Sequence, residues 1–265
     1  MKILIPMAGE GKRFNEVGYR LPKPLIPVSG KPMILNVLKD LPKDIECILV
    51  VQEKHAADFD IDELFHGEDN VNLIKISGRT EGQASTCLLA ENHLDPEEEL
   101  LIAASDNGML VDWTRFNSEK RHSDCLVLTF RGQDRLSENP NSWGWCKIDT
   151  ENNIKDISVK VPISGTPERD HAIVGAFYFK KARYFIESAK RMIKEDYRTN
   201  NEFYVDSVPL FMPSGTISRV FEIDHYAGWG TPADLYEYQE KEYMYRIGYG
   251  ILEEVWKQYF RRHLE

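Results

Sequence analysis

Basic charge is in deficit in this 265-residue sequence: 33 Lys and Arg stand against 43 Asp and Glu, for a formal charge of −10. Duplex nucleic acid is bound through basic surface that releases counterions, so the balance argues against a nucleic-acid partner. Long apolar runs are also missing. No stretch approaches eighteen uninterrupted apolar residues, and no basic region precedes an apolar segment with a small-residue cleavage site. The chain therefore reads as neither membrane-spanning nor secreted, and a cytoplasmic location is expected. The four cysteines, Cys47, Cys87, Cys125 and Cys146, are scattered through apolar runs without Cys-x-x-Cys spacing. They read as buried thiols of a reducing compartment. There is no internal repeat, no low-complexity tract and no linker that would divide the chain, which is long enough for one large domain.

Against this background the first thirty-four residues concentrate glycine and cations. A short apolar run, Met1 to Ile5, breaks into Pro6-Met7-Ala8-Gly9-Glu10-Gly11-Lys12-Arg13-Phe14, followed by Pro22-Lys23-Pro24-Leu25 and Gly30-Lys31-Pro32-Met33-Ile34. Glycines at 9 and 11 let backbone N–H groups approach a ligand and point into one concavity, an arrangement that favours an anion. Lys12, Arg13 and Lys23 add mobile positive charge. In a protein of net negative charge, cations that handle phosphate must be focused locally, with a divalent metal as the expected companion. Two phosphate motifs are excluded: a dinucleotide fingerprint needs glycine where Phe14 stands, and a Walker A loop needs Ser or Thr where Arg13 stands.

Strand-length apolar runs recur at Ile3–Pro6, Cys47–Val51, Leu73–Ile76, Leu100–Ala104 and Leu126–Phe130, separated by helix-length polar or amphipathic stretches. This order predicts parallel strands with helical crossovers. Lys31–Leu41, with Pro32 early in it, and Gln83–His93 are the expected crossover helices. In open α/β sheets ligands sit outside the carboxyl ends of strands; the glycine turn follows the first strand and Asp106 the fourth, so both are expected at the same edge. After Phe130 the texture changes. Asp149–Asn153 signals a hairpin, His171–Phe179 a strong strand, Ala182–Lys194 an amphipathic helix, Phe203–Met212 another, and the chain from Thr231 one or two helices rich in Tyr and Glu.

The run Ala8-Gly9-x-Gly11-x-Arg13 followed by Pro22-Lys23-Pro24-Leu25 resembles the signature of the nucleotidyltransferases that make nucleotide-diphospho-sugars and related activated phospho-alcohols. Phe14, Gly18-Tyr19 and Gly30-Lys31-Pro32-Met33-Ile34 resemble most the branch found in capsule and surface-polysaccharide gene clusters, which includes cytidylyltransferases. The similarity continues through Thr80-Glu81-Gly82-Gln83-Ala84, Ser105-Asp106-Asn107, Lys160-Val161-Pro162, Asn201-Glu202-Phe203-Tyr204 and Gly230-Thr231-Pro232-x-Asp234-Leu235. The resemblance implies a Rossmann-like α/β three-layer sandwich with a mostly parallel mixed sheet, a small β extension over the acceptor side and C-terminal helices. It implies one domain over 1–265: a nucleotide-binding half (1–130), an acceptor-binding half (131–235) and a helical tail (236–265).

The implied activity moves a nucleoside monophosphate from a nucleoside triphosphate, CTP on branch resemblance, to a small phosphorylated acceptor, releasing pyrophosphate. UTP or dTTP is the alternative donor. Such a reaction crowds negative charge into one transition state, so positioning and neutralisation dominate over a nucleophilic or general-base residue. Arg13, whose fork suits bidentate phosphate contact, and Lys23, held between two prolines, are the catalytic candidates; Lys12 has a supporting role. Ala8, Gly9, Gly11, Thr80, Gly82 and Gln83 are the nucleotide-binding candidates, with Gly82 letting a base lie flat on backbone. Thr80 is alternatively a helix cap. Gly144, Lys160, Asn201, Glu202 and Tyr204 are the acceptor candidates, while Trp143 is either pocket or hairpin packing. Asp106 is the candidate Mg²⁺ ligand, although an Asp after a strand is also ordinary turn chemistry. The family's second metal carboxylate, just before its Gly-Thr pair, aligns with Gly228; Asp224, Asp234 or water would have to replace it. That departure opens another reading, a nucleotide-binding regulatory or scaffold protein without turnover. The aromatic tail Tyr236–Phe260 leaves the oligomeric state open between a single copy and a homodimer.

Overall fold

The computed structural model describes residues 1–264; Glu265, the last residue of the expected tail, lies outside them. The chain forms two compact units. One comprises Met1–Ala8, Asp44–Ala103 and Thr114–Glu222; the other comprises Gly9–Lys43, Ala104–Trp113 and the chain from Ile223 on.

The larger unit is built on a nine-stranded mixed sheet. Lys2–Pro6 lies between Cys47–Gln52 and Leu100–Ala103, parallel to both, and Val71–Ile76 continues the parallel order beyond Cys47–Gln52. The apolar runs at 47–51 and 100–103 are buried at every position, as strands covered on both faces must be. The fifth expected strand breaks the parallel pattern. Cys125–Phe130 does not join the other four; it pairs antiparallel with His171–Phe179 and parallel with Ser218–Glu222. His171–Phe179, which itself runs antiparallel to Leu100–Ala103, takes the position beside it. Residues nearly fifty positions further along the chain thus occupy the edge that local periodicity offered to Cys125–Phe130. The hairpin Gly144–Ile148/Ile154–Val159 extends the sheet through the start of His171–Phe179, and the backbone N–H of Asp149 donates to the carbonyl of Asn153 across its turn at 3.0 Å. Ala182–Lys194 forms as expected and buries Phe185, Ile186, Ala189 and Met192.

Two expected helices are shorter. Lys31–Pro32 pairs with Pro27–Val28 as a small ribbon, so the first helix begins at Met33 and runs to Asp40 with Pro32 as its extended N-terminal neighbour. The helix expected at 83–93 ends at Leu88 and is followed by a 3₁₀ turn, Glu91–His93. Phe203–Met212 is a 3₁₀ segment, Val205–Phe211, because Pro209 inside it removes a backbone donor. All four cysteines are free and buried, and burial raises their thiol pKa values, that of Cys47 to about 11.

In the smaller unit, Asn107–Leu110 pairs antiparallel with His225–Gly228, and helices Met33–Asp40, Pro232–Arg246 and Glu254–Leu264 complete the layer. Thr231 caps the second of these helices by accepting from the N–H of Asp234 at 3.1 Å, with Pro232 at the first helical position where its missing N–H is harmless. The aromatic tail divides: Tyr238, Trp256, Tyr259 and Phe260 are buried in their own unit, whereas Tyr236, Tyr243 and Tyr249 are exposed. A buried carboxylate anchors the last helix. Asp40 accepts from the backbone N–H of Met109 at 2.9 Å, and its Oδ1 lies 2.7 Å from Nε2 of His263, both side chains being 1% exposed. Among the described residues, no helix is long and apolar enough to cross a membrane.

Truncating one side of a buried polar contact leaves the other side unsatisfied. His263→Leu is therefore expected to lower stability by about 2 kcal/mol in urea unfolding, while the exposed Tyr243→Ser change stays within about 0.5 kcal/mol.

Candidate active site

The smaller unit holds the charged candidates Lys12, Arg13, Lys23 and Asp106. The chain leaves the strand Lys2–Pro6 and enters the glycine turn, where Gly11 adopts a left-handed φ of 62° and starts the short helix Lys12–Glu16. A Cβ at Gly11 would lie 3.1 Å from the Cβ of Lys23, so the turn packs directly on the Pro22-Lys23-Pro24 segment. That segment is a 3₁₀ turn in which Leu25 N–H donates to the carbonyl of Pro22 at 2.8 Å. Lys12 and Arg13 are exposed, and a Cβ at Gly9 would meet nothing within 4 Å, so this backbone is open to approach.

The Lys23 ammonium contacts Oδ2 of Asp106; the two side chains are 21% and 28% exposed. Asp106 itself is placed by its own carbonyl, which accepts from Trp229 N–H at 3.1 Å. Next to Trp229, Gly230 leaves room for two carboxylates: the point that a Cβ would occupy is 3.3 Å from Oδ2 of Asp106 and 3.7 Å from Oδ2 of Asp234. Of the two aspartates that sequence offered in place of Gly228, only Asp234 is here. Asp224 is exposed and its N–H donates to Leu110, at the end of the ribbon opposite to the Gly228/Asn107 pair.

This donor set fits a hard divalent cation. Two carboxylates converge over a position with no side chain, and among the described residues no group of three or more His, Cys, Asp and Glu gathers as a closed metal cage. Mg²⁺ characteristically takes one or two carboxylates and completes its shell with water and substrate phosphate.

In the larger unit the other candidates form two groups. The loop Arg79–Ala84 is clamped to the segment Arg198–Phe203: Phe203 N–H donates to Glu81 and Ala84 N–H to Phe203, both at 2.9 Å. Arg79 pairs with Glu202 and Arg198 with Glu81, each at 2.9 Å, and the Arg198 guanidinium stacks 4.0 Å from the Phe203 ring centre. Gly82 has a packing reason to be glycine. At a φ of 136°, its Cβ would fall 2.5 Å from the nitrogen and 2.6 Å from the oxygen of Phe203, so the missing side chain admits that backbone. Thr80 does not cap the helix Gln83–Leu88; its hydroxyl donates to the Gly82 carbonyl at 3.0 Å and meets that of Thr86 at 2.6 Å. Gln83 is the first residue of that helix. Asn201, with Asn200, forms a tight left-handed turn closed by two 3.0 Å bonds between Thr199 and Glu202.

The second group joins Gly144, Lys160 and Tyr204. Lys160 has a φ of 66°, its N–H donates to Trp143 at 2.8 Å, its ammonium donates to the Ser142 carbonyl, and that ammonium lies 5.8 Å from the Tyr204 ring centre. Trp143 is hairpin packing, edge-on to Phe130 at 5.2 Å. Sequence reasoning missed Asp206, Arg79 and Arg198. Asp206 lies in the mostly apolar segment Val205–Phe211, where Val205, Ser207 and Val208 are buried, and no local motif marks it.

An α/β sheet with a glycine turn after its first strand, followed by a lysine on a carboxylate, is the arrangement expected of a protein that handles phosphate. The family model described as nucleotidyl transferase matches residues 2–243, and the chain belongs to that family. Among curated proteins it is 25% identical over 194 residues to the bifunctional protein GlmU of Methanocaldococcus jannaschii, covering 72% of this chain and 43% of that protein. It is 28% identical over 166 residues to the GlmU of Methanococcus vannielii, covering 60% of this chain and 35% of that one. The chain thus spans less than half the length of these relatives. Its fold is shared with the nucleoside-diphosphate-sugar pyrophosphorylase from Vibrio cholerae RC9, with a TM-score of 0.72 and 18% identity over 90% of this chain and 99% of that one. It is shared as well with the inositol-1-phosphate CTP transferase from T. maritima, with a TM-score of 0.69 and 19% identity over 94% and 97% of the two chains.

The close approach at Gly82 makes a direct prediction. Gly82→Ala is expected to cost about 2 kcal/mol or more in chemical unfolding, because both the contact and the positive φ oppose a side chain. Gly9→Ala, with open space around it, is expected to change stability by less than about 0.5 kcal/mol.

Proposed function

We propose that this chain is a nucleotidyltransferase that moves a nucleoside monophosphate from a nucleoside triphosphate to a small phosphorylated acceptor, releasing pyrophosphate. The observation that carries this reading is the meeting of Lys23, Asp106 and Asp234 around the bare backbone of Gly230. A protein with a formal charge of −10 has there a cation from a 3₁₀ turn and two hard-oxygen donors, one just before the strand Asn107–Leu110 and one in the first turn of the helix Pro232–Arg246. Membership in the nucleotidyl transferase family supports the same chemistry.

Arg13 neutralises the triphosphate and the leaving pyrophosphate, and the open backbone at Ala8, Gly9 and Gly11 cradles phosphate oxygens, with Lys12 in support. Lys23 carries charge to the α-phosphate or to the acceptor phosphate, whose oxygen attacks the α-phosphorus in line. Asp106 and Asp234 are the residues that would hold Mg²⁺, which when bound supplies charge neutralisation to phosphate oxygens. The position of Asp234 beside Asp106 supports turnover over the reading of a nucleotide-binding protein without it. Thr80, Gly82 and Gln83 form the base-reading loop, held in shape by Phe203. Lys160 and Tyr204 contact the acceptor, Gly144 lines its site, and Glu202 and Asn201 support that side through the Arg79 pair and the turn. CTP is the proposed donor and a capsule or surface-polysaccharide precursor the proposed product, in a cytoplasmic setting; the family resemblance supports these finer assignments.

Pyrophosphate release measured with each of four triphosphates against a library of phosphorylated acceptors tests the reading, and CTP is expected to give the highest kcat/KM. Nucleotide binding without release for every pair would overturn it. Lys23→Ala and Asp106→Ala are each expected to reduce turnover on the order of a hundredfold, the loss of one principal electrostatic contact. Asp234→Asn is expected to raise the Mg²⁺ concentration for half-maximal rate roughly tenfold. Unchanged metal dependence would exclude Asp234 as a ligand.

A further inference from the structure

Asp40 is a carboxylate that the proposed reaction does not use, and it is wholly withdrawn from water. It ends the helix Met33–Asp40, and two other segments of the smaller unit close on it. Its Oδ2 accepts from the Met109 N–H at 2.9 Å and from the Tyr259 hydroxyl at 3.4 Å, and its Oδ1 faces Nε2 of His263. The Asp40 carbonyl accepts from Nε1 of Trp113 at 3.1 Å, so one residue holds the chain just after Asp106 at two points.

The strand Asn107–Leu110 is shaped to receive this hold. A Cβ at Gly108 would run into the Tyr259 hydroxyl and lie 2.8 Å from the Trp229 ring, so the bare backbone lets the helix Glu254–Leu264 reach Asp40. Trp229 in turn donates its N–H to the Asp106 carbonyl. The other end of the Asp40 helix holds the lysine segment. Met33 N–H donates to Ile26 at 2.9 Å and the Asn36 amide to Val28 at 2.8 Å, just beyond the turn Lys23–Leu25. A single helix thus braces both partners of the Lys23–Asp106 contact, and Lys39 joins its last turn to the His263 carbonyl at 3.1 Å.

A buried carboxylate is costly unless donors meet its oxygens, so Asp40 opposes displacement of the strand or of the helix Glu254–Leu264. Groups behind a metal ligand tune affinity, because a cation with fixed donor distances is bound best by carboxylates already in place.

We infer that Asp40 is a positioning residue for the proposed metal site. With Tyr259 and His263 it fixes the strand Asn107–Leu110, and with it Asp106, so that the helix Glu254–Leu264 sets Mg²⁺ affinity without supplying a ligand. This rests on the proposed role of Asp106 and extends it to residues that touch neither metal nor substrate.

The test uses the full chain and three readouts: amide hydrogen exchange over residues 104–113, Mn²⁺ binding with CTP followed by electron paramagnetic resonance, and the Mg²⁺ concentration for half-maximal pyrophosphate release. The first two need no turnover and do not depend on the acceptor. Asp40→Ala is expected to speed exchange at Asn107–Leu110 and to raise both metal concentrations roughly tenfold, leaving kcat at saturating Mg²⁺ and the KM for CTP within a factor of a few. Asp40→Asn keeps an acceptor for the Met109 N–H and is expected to restore metal binding to near the wild-type level. Tyr259→Phe removes one hydroxyl and is expected to shift the metal concentrations about threefold in the same direction. It decides the matter if Asp40→Ala fails to fold, with thermal unfolding as the control for each variant. Faster exchange with unchanged metal binding in the folded variants reduces Asp40 to a structural role and overturns the inference. Asp106→Asn separates the two levels. If it weakens Mn²⁺ binding while the Asp40 and Tyr259 variants do not, only the role of Asp40 falls; if it too leaves binding unchanged, the proposed metal role of Asp106 falls as well.

Discussion

The contact between the Lys23 ammonium and the Asp106 carboxylate is the constraint on which the charged cluster of the smaller unit depends. It ties the segment after the glycine turn to the residue three positions beyond a buried parallel strand. Each partner needs the other to occupy its place without a large desolvation penalty, because both are largely withdrawn from water. The glycine turn leans on Lys23 through Gly11, and Asp234 reaches the same locality from the first turn of a helix capped by Thr231. A net-negative chain thereby assembles one spot where cation and carboxylates are both fixed in position, as phosphate chemistry requires.

The larger unit works by backbone approach rather than by charge. The clamp between Arg79–Ala84 and Arg198–Phe203 depends on two backbone hydrogen bonds and on the missing side chain of Gly82, with two arginine–glutamate pairs closing its sides. The exposed pairs add little energy by themselves; the buried Phe203 and the backbone bonds define the geometry. Glu202 and Asn201 are accordingly occupied by the clamp and its turn. Lys160, Tyr204 and Asp206 gather where the hairpin, the Lys160 bend and the 3₁₀ segment meet.

Much of the fold was legible because its signals are local. The strands Lys2–Pro6, Cys47–Gln52, Leu100–Ala103 and His171–Phe179 are dense apolar runs, and Ala182–Lys194 has a regular amphipathic period. Lys31–Pro32, Phe203–Met212 and the pairing of Cys125–Phe130 were not legible, because a ribbon partner, an internal proline and a strand nearly fifty residues away decided them. The same division runs through the site. Gly9, Gly11, Lys23 and Asp106 announce themselves by residue type and by position after strands, whereas Asp206 and Arg198 carry no motif and gain meaning only from what they touch.

By itself the sequence determined the glycine turn with its neighbouring cations, the parallel core around its first strand and the net negative charge. Those properties follow from residue type and short-range periodicity, which act within a few positions of the chain. Tertiary structure alone decided that Asp234 rather than Asp224 stands beside Asp106, that Gly82 is bare to admit Phe203, and that Asp206 lies against Gly144. Each is a contact between segments distant in sequence, set by how the elements pack, and no local pattern encodes which of two aspartates will arrive or which backbone will pass close to a glycine.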